Sequence, residues 1–250
     1  MNNITFEQIH ILGHLIKENE IYRQYHYPEM LNRYDSNFIE WMKMPTLTQF
    51  QDVEQSLKTF HQANNQQHIK FIFPANEKIS EEITKYLTTE SYTIGFLELY
   101  AIQPSVFTVA KNVAIDVELV TDSNIEHFLK LQYDEDLKYG EGFAKDKQHL
   151  LLRQFQDRSK QQIIAYYDGI PSGSAEIIEQ AETVEIDNLF VIGELQRNGI
   201  GGQIQRFVMD KYEHKTVILL ADGEDTAREM YQKQNYEYQG FRFEVLKVEN

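Results

Sequence analysis

Along residues 184–192, apolar side chains at Val184, Ile186, Phe190 and Ile192 have polar residues set between them. That short period predicts a β-strand. Past Gly201 the period lengthens, with Ile204, Phe207 and Val208 recurring at helical spacing, so a helix is predicted to begin near Gly199. Between strand and helix lies a glycine-containing turn.

The same reading extends along the chain. Ile9, Leu12, Leu15 and Ile16 predict a helix over 4–20. Phe50, Val53, Leu57 and Phe60 predict an amphipathic helix over 47–61. A strand over 68–76 ends after Pro74, a helix carries Ile79, Ile83 and Leu87, and a strand follows over 92–100. Trp41, Met42 and Met44 read as core or interface filler. The stretch 103–112 is the expected boundary, giving domains at 1–110 and 113–250. After it, Val113, Ile115, Val117 and Leu119 alternate as a strand. Asp122 or Ser123 is expected to cap a helix with Ile125, Phe128 and Leu129. Gly140 and Gly142 break that helix, and another spans about 145–157. A hairpin turns at Asp168-Gly169 and leads through 180–182 into the central strand. Residues 217–222 read as a buried strand, 227–234 as a helix and 236–248 as the last strand. The strand–helix–strand order of 68–100 recurs at 216–248, with Gly95-Phe96 where Gly240-Phe241 falls. The N-terminal half is therefore either a decayed copy of the same fold or a convergent arrangement; both stand open. The fold class is α/β (α+β): a mixed central sheet flanked by helices, with a second, N-terminal α/β domain.

The chain has 250 residues, 42% hydrophobic and 25% charged, as in ordinary globular proteins. No apolar run reaches the ~18 residues of a membrane span. Met1-Asn2-Asn3-Ile4 opens no signal peptide, and with no cysteine there is neither a disulfide framework nor a thiol nucleophile. A cytoplasmic location is expected. The formal charge of −15 argues against nucleic-acid and anionic-membrane partners and mildly favours a cationic acceptor. His10 and His14, four apart on the predicted helix, lack the acidic partner of a His-Glu-x-x-His site, and no metal is expected.

The candidate chemistry sits in the turn Gln196-Arg197-Asn198-Gly199-Ile200-Gly201-Gly202. Its glycines admit close backbone approach, and the following helix start offers unpaired N–H groups to phosphate. It is not a P-loop, since no Lys-Ser or Lys-Thr follows. The string Leu189-Phe190-Val191, four residues, then Gln196-x-x-Gly199-x-Gly201 resembles the acyl-CoA signature of the GNAT superfamily of N-acetyltransferases, (Gln/Arg)-x-x-Gly-x-(Gly/Ala). Residues 224–236 resemble that family's next motif, Asn-x-x-Ala-x-x-Leu-Tyr-x-Lys-x-Gly-Phe. There Glu224 replaces Asn, Asn235 replaces Gly and Tyr236 replaces Phe. The resemblance covers about 113–248, and the element order β-α-α-β-β-β-α-β-α-β matches as well.

The resemblance implies an acetyl-CoA-dependent transfer to a primary amine of a small molecule or peptide. Leu189, Phe190 and Val191 would meet pantetheine, and a backbone N–H of Phe190 or Val191 would polarise the thioester. Residues Arg197 to Gly202 would seat pyrophosphate, next to Gln196. Glu185, then Asp187, are the candidate bases, on one face if the strand is regular. Tyr231 matches the motif tyrosine and is the candidate acid for the leaving thiolate. A non-catalytic acyl-CoA-sensing module is the competing reading. Partners are then acetyl-CoA and an amine, with a homodimer left open.

Overall fold

The computed structural model describes residues 4–157, 160–223 and 227–249. The strands are β1 (His14–Glu18), β2 (Tyr22–His26), β3 (Phe38–Trp41), β4 (His68–Ile72), β5 (Thr93–Ile102), β6 (Ile115–Leu119), β7 (Gln161–Tyr167), β8 (Ile170–Glu179), β9 (Thr183–Val191), β10 (Thr216–Asp222) and β11 (Glu237–Val248). The helices are α1 (Leu47–Ala63), α2 (Glu81–Thr89), α3 (Ile125–Asp136), α4 (Glu141–Asp157), α5 (Ile200–Lys211) and α6 (Ala227–Lys233). Contacts divide the chain into two compact units, and the chain crosses between them more than once. The first comprises Ile11–Leu99 with Ala221–Ala227 and Gln239–Asn250; the second comprises Tyr100–Leu220 with Arg228–Tyr238 and the residues up to His10. No described helix is long and apolar enough to cross a membrane.

In the first unit the strand order is β1-β2-β3-β4-β11-β5. β3 and β4 run parallel; β1/β2, β2/β3 and β4/β11 run antiparallel. Thr46 starts α1 through a reciprocal capping box with Gln49, and Ser80 caps α2. The apolar faces of these helices deliver Phe50, Leu57, Ile83 and Leu87 to a core with Trp41, Phe71 and Phe73. Phe50 packs at a tilt against Phe71 at 4.8 Å and stacks on Phe73 at 6.1 Å. Trp41 is core, as expected, whereas Met42 is exposed.

The helix expected over 4–20 does not form. A short 3-10 turn at Phe6–Gln8, capped by Thr5, leads instead to β1, whose five residues are all exposed. Of the apolar positions there, Ile9 is buried while Leu15 and Ile16 are exposed, so they mark no common buried face. Pairing with β2 takes the segment, and at Gly13 a side chain would meet the Ser36 carbonyl at 2.3 Å. His10 and His14 therefore do not share a helical face.

One buried group of the first unit is polar. His61 and His68 are each 1% exposed, with rings 4.6 Å apart. His61 Nδ1 donates to the His68 carbonyl at 2.6 Å, and His68 Nε2 donates to the Asn37 carbonyl at 2.9 Å. The second ring nitrogen of each has no protein partner. Burial holds both rings, and that of neighbouring His26, below the usual histidine range; His68 is lowered to about 4.

The second unit orders its strands β10-β9-β8-β7-β6. All neighbours are antiparallel except β9 and β10, which run parallel. Gly140, at φ 102°, separates α3 from α4, and α4 begins at Glu141, four residues earlier than the apolar pattern suggested. The cap of α3 is also shifted: Asn124 takes the position expected of Asp122 or Ser123. Its Oδ1 accepts from the Thr121 N–H at 2.7 Å. β6 starts at Ile115, leaving Val113 exposed. Phe128 and Leu131 of α3, Leu151 of α4 and Ile164 of β7 form a core on one sheet face, and Phe190 and Ile192 pack against it. Gly201 of α5 lies against the other face, where Leu189 and Val191 point.

Candidate active site

β9 makes the site by changing partners. Its parallel pairing with β10 matches Thr183, Val184 and Glu185 to Thr216, Val217 and Ile218, while β9 runs on to Val191. Between Asp187 and Phe190 the register against β8 slips by one residue: Glu176 faces Asp187, but Ser174 faces Phe190. The extra residue is a bulge centred on Asn188, which has φ 50°. Past it, the Ile192 N–H donates to the Ser172 carbonyl of β8 at 3.0 Å. Strand alternation then directs the Leu189 and Val191 amides away from β8, toward the edge where β10 has parted. β8 approaches closely at Gly173, where a Cβ would stand 2.7 Å from the Phe190 carbonyl oxygen.

The chain leaves this opened edge through a 3-10 turn, Gly193–Leu195. Gln196 Nε2 donates back to the Val191 carbonyl at 3.3 Å, and Asn198 Nδ2 to the Leu195 carbonyl at 3.1 Å. Arg197 at φ 66° and Gly199 at φ 85° both take left-handed backbone, which turns the chain into α5. Residues 196–199 are exposed, and α5 has no side-chain cap. Its first N–H groups, with the positive end of the helix dipole, face outward from the turn. Gly201 lies 3.7 Å from Leu189 and 3.8 Å from Val191, measured from where its Cβ would be. The strand residues and the glycine turn are thus brought together, while Phe190 points to the opposite sheet face. Gly202 is constrained differently, since a Cβ there would come within 3.1 Å of Val109.

Glu185 and Asp187 share one face, because the bulge falls after them. Glu185 is 4% exposed and accepts the His10 backbone N–H at 2.8 Å. Asp187 Oδ2 receives Lys160 Nζ at 2.9 Å, and the same Nζ lies 2.9 Å from Glu176 Oε2. Burial alone would lower the Lys160 pKa, but the two carboxylates outweigh it and hold the ammonium firmly charged. Tyr231 is 9% exposed, its ring 5.2 Å from Tyr100 and 5.3 Å from Tyr236. Glu224, the motif departure, lies outside the described residues.

Sequence reasoning missed the polar groups around the bulge. Gln132 of α3, fully buried, donates to Ser174 Oγ at 2.8 Å and accepts from Asn188 Nδ2 at 3.3 Å. Asp136, one turn further on, is 2% exposed and 3.4 Å from buried Lys147; burial raises its pKa. A signal was present nearby: Glu176 is an acid set between the apolar residues Ala175 and Ile177 in a strand whose neighbours are buried, and an acid there calls for a buried partner.

The acetyltransferase (GNAT) domain model matches residues 128–248, and a domain of unknown function matches residues 4–100. The acetyltransferase match covers residues 128–248, a little under half of the chain. Over its whole length the chain is of one family with a functionally unknown conserved protein from Staphylococcus epidermidis. The two are 34% identical, with a TM-score of 0.92 over 99% of this chain and 98% of that one. A GCN5-related N-acetyltransferase from Kribbella flavida is similar in fold, with TM-score 0.61 and 11% identity over 94% of this chain and 89% of that. A tandem GNAT protein from the clavulanic acid biosynthesis pathway matches at TM-score 0.53 and 6% identity, over 84% of this chain and 75% of that. No curated protein matches the chain. The α/β architecture and GNAT fold expected from the motifs are therefore the observed ones.

Proposed function

We propose that the second unit transfers an acetyl group from acetyl-CoA to a primary amine. The observation that carries the reading is the opened β9 edge, with outward Leu189 and Val191 amides, running into an exposed glycine turn. Pantetheine extends this edge as a strand would, and pyrophosphate sits on the N–H groups of residues 197–202. Between the two candidates for polarising the thioester carbonyl, alternation favours the Val191 N–H over that of Phe190, which points to β8. The neutral amine attacks the carbonyl carbon, and the C–S bond breaks. The amine proton passes to the Glu185–Asp187 face, and Tyr231 gives its proton to the thiolate.

One observation favours the alternative, an acyl-CoA-binding module without turnover: both candidate bases already have hydrogen-bonding or ionic partners. Amine-dependent thiol release separates the two.

Two substitutions test the roles. Gly199→Asp places a carboxylate and a side chain at a left-handed position beside the phosphate seat. Acetyl-CoA affinity should fall by about tenfold or more, the size of a lost charge-assisted contact; unchanged affinity by calorimetry in a folded variant contradicts the assignment. Tyr231→Phe removes only a hydroxyl. General-acid help is worth roughly 10²–10⁴-fold, so kcat should drop at least about tenfold, allowing for rescue by water, with acetyl-CoA affinity kept. A normal kcat removes Tyr231 from the mechanism.

A further inference from the structure

We infer that Gln132 is a positioning residue for acyl transfer: through Asn188 it holds the bulge that keeps β9 parted from β10. The inference rests on the acyl-transfer reading above.

The bulge needs a holder. Asn188 occupies left-handed backbone, which L-residues other than glycine adopt at a cost and asparagine tolerates best. Its side chain is tied on two sides. Nδ2 donates to Gln132 Oε1 at 3.3 Å and to Glu176 Oε1 at 3.4 Å. Gln132 turns its own amide to Ser174 Oγ at 2.8 Å. Ser174 and Glu176 are the β8 residues between which the register slips. Lys160 completes the arrangement by joining Glu176 to Asp187, the last residue before the bulge. The four residues flanking the discontinuity are therefore fastened by side chains from outside the two strands, one from α3 and one from the residue just before β7.

The geometry links this latch to the site. Directly after Asn188 come Leu189 and Val191, whose amides face the opened edge. If the bulge relaxed into regular strand, the one-residue slip would reverse which amides and which side chains face that edge. Leu189 and Val191 would then leave Gly201, and Phe190 would leave the α3–α4 core. Gln132 touches none of the reacting groups; it acts only by fixing where they point.

Glycine at 188 supplies the left-handed backbone without needing a latch, and this makes the inference testable. Acetyl-CoA affinity is measured by calorimetry on variants whose melting shows them folded. Gln132→Leu in the natural background should weaken binding by about tenfold, roughly one hydrogen bond's worth. Asn188→Gly alone should bind near the natural level, and Gln132→Leu added to Asn188→Gly should change affinity less than about threefold, because coupled residues are non-additive. A purely structural Gln132 would lower melting temperature equally in both backgrounds and leave affinity alone. Equal losses of affinity in both backgrounds, or none in either, overturn the inference. Should Gln132→Leu not fold, Ser174→Ala frees the other end of the Gln132 amide with little change of volume and is expected to weaken binding in the same background-dependent way. Failure of the unaltered protein to bind acetyl-CoA overturns the acyl-transfer reading instead. The latch is then judged by amide exchange at Leu189 and Val191, which Gln132→Leu should accelerate and Gln132→Leu with Asn188→Gly should not; equal exchange in both overturns it.

Discussion

Lys160→Met is expected to destabilise the second unit by about 3–5 kcal/mol, the cost of stranding buried charge. Lys160 is 6% exposed and lies 2.9 Å from both Glu176 Oε2 and Asp187 Oδ2. Those two acids stand directly opposite each other across β8 and β9, a pairing that repels when both are ionised. Methionine keeps most of the side-chain volume, so the loss would report charge and not packing. A second substitution identifies the cause: Lys160→Met combined with Glu176→Met removes one of the stranded carboxylates and should recover a large part of the loss. Urea denaturation of the natural protein and both variants at pH 7 measures this. A single variant within 1 kcal/mol of the natural protein, about the scatter of ordinary surface changes, would show that the triad holds nothing.

The second large effect is acid-induced and belongs to the first unit. His68 is lowered to about 4, mainly by burial, against the opposing pull of its hydrogen bond to the Asn37 carbonyl. His61 and Lys70 lower it further, while Asp35 raises it. An unfolded histidine titrates near ~6.5. Between these values the unfolded chain binds the extra proton and the folded chain does not, so stability rises with pH. The stabilisation is fully present above about pH 6.5 and is lost as pH falls to about 4. For His68 alone that amounts to roughly 3 kcal/mol, and His61 and His26 act in the same direction. Asparagine at 68 can still donate to the Asn37 carbonyl but does not titrate. Melting of His68→Asn should therefore show a shallower fall between pH 6.5 and 4 than the natural protein. Parallel curves would place the acid sensitivity elsewhere.

These two effects show what the amino-acid sequence exposes and what it hides. The hairpin about Asp168-Gly169, the central strand, the turn at Gly199 and the helices α1 and α2 follow from local signals: period, caps and glycine. The segment at 4–20 misleads because Leu12, Leu15 and Ile16 keep helical spacing while an edge pairing with β2 decides the conformation. Tertiary pairing overrode local pattern there. The two-unit division is also not local, since it depends on β11 finding β4, more than 160 residues earlier, in antiparallel register. The site divides the same way. Gln196, Gly199 and Gly201 are legible because backbone chemistry fixes residue type at fixed spacing. Lys160, Gln132 and Asn188 are not, because their roles exist only once the register of β8 against β9, including its one-residue slip, is known.

Amine-dependent release of thiol from acetyl-CoA tests the central claim most directly. With acetyl-CoA saturating and a panel of primary amines offered in turn, thiol release should depend on both protein and amine, with one acetylated amine per thiol and one acetyl-CoA site per chain. Gly199→Asp should suppress it at the same cofactor concentration. Saturable acetyl-CoA binding with no thiol release on any amine would contradict the claim and leave a binding module.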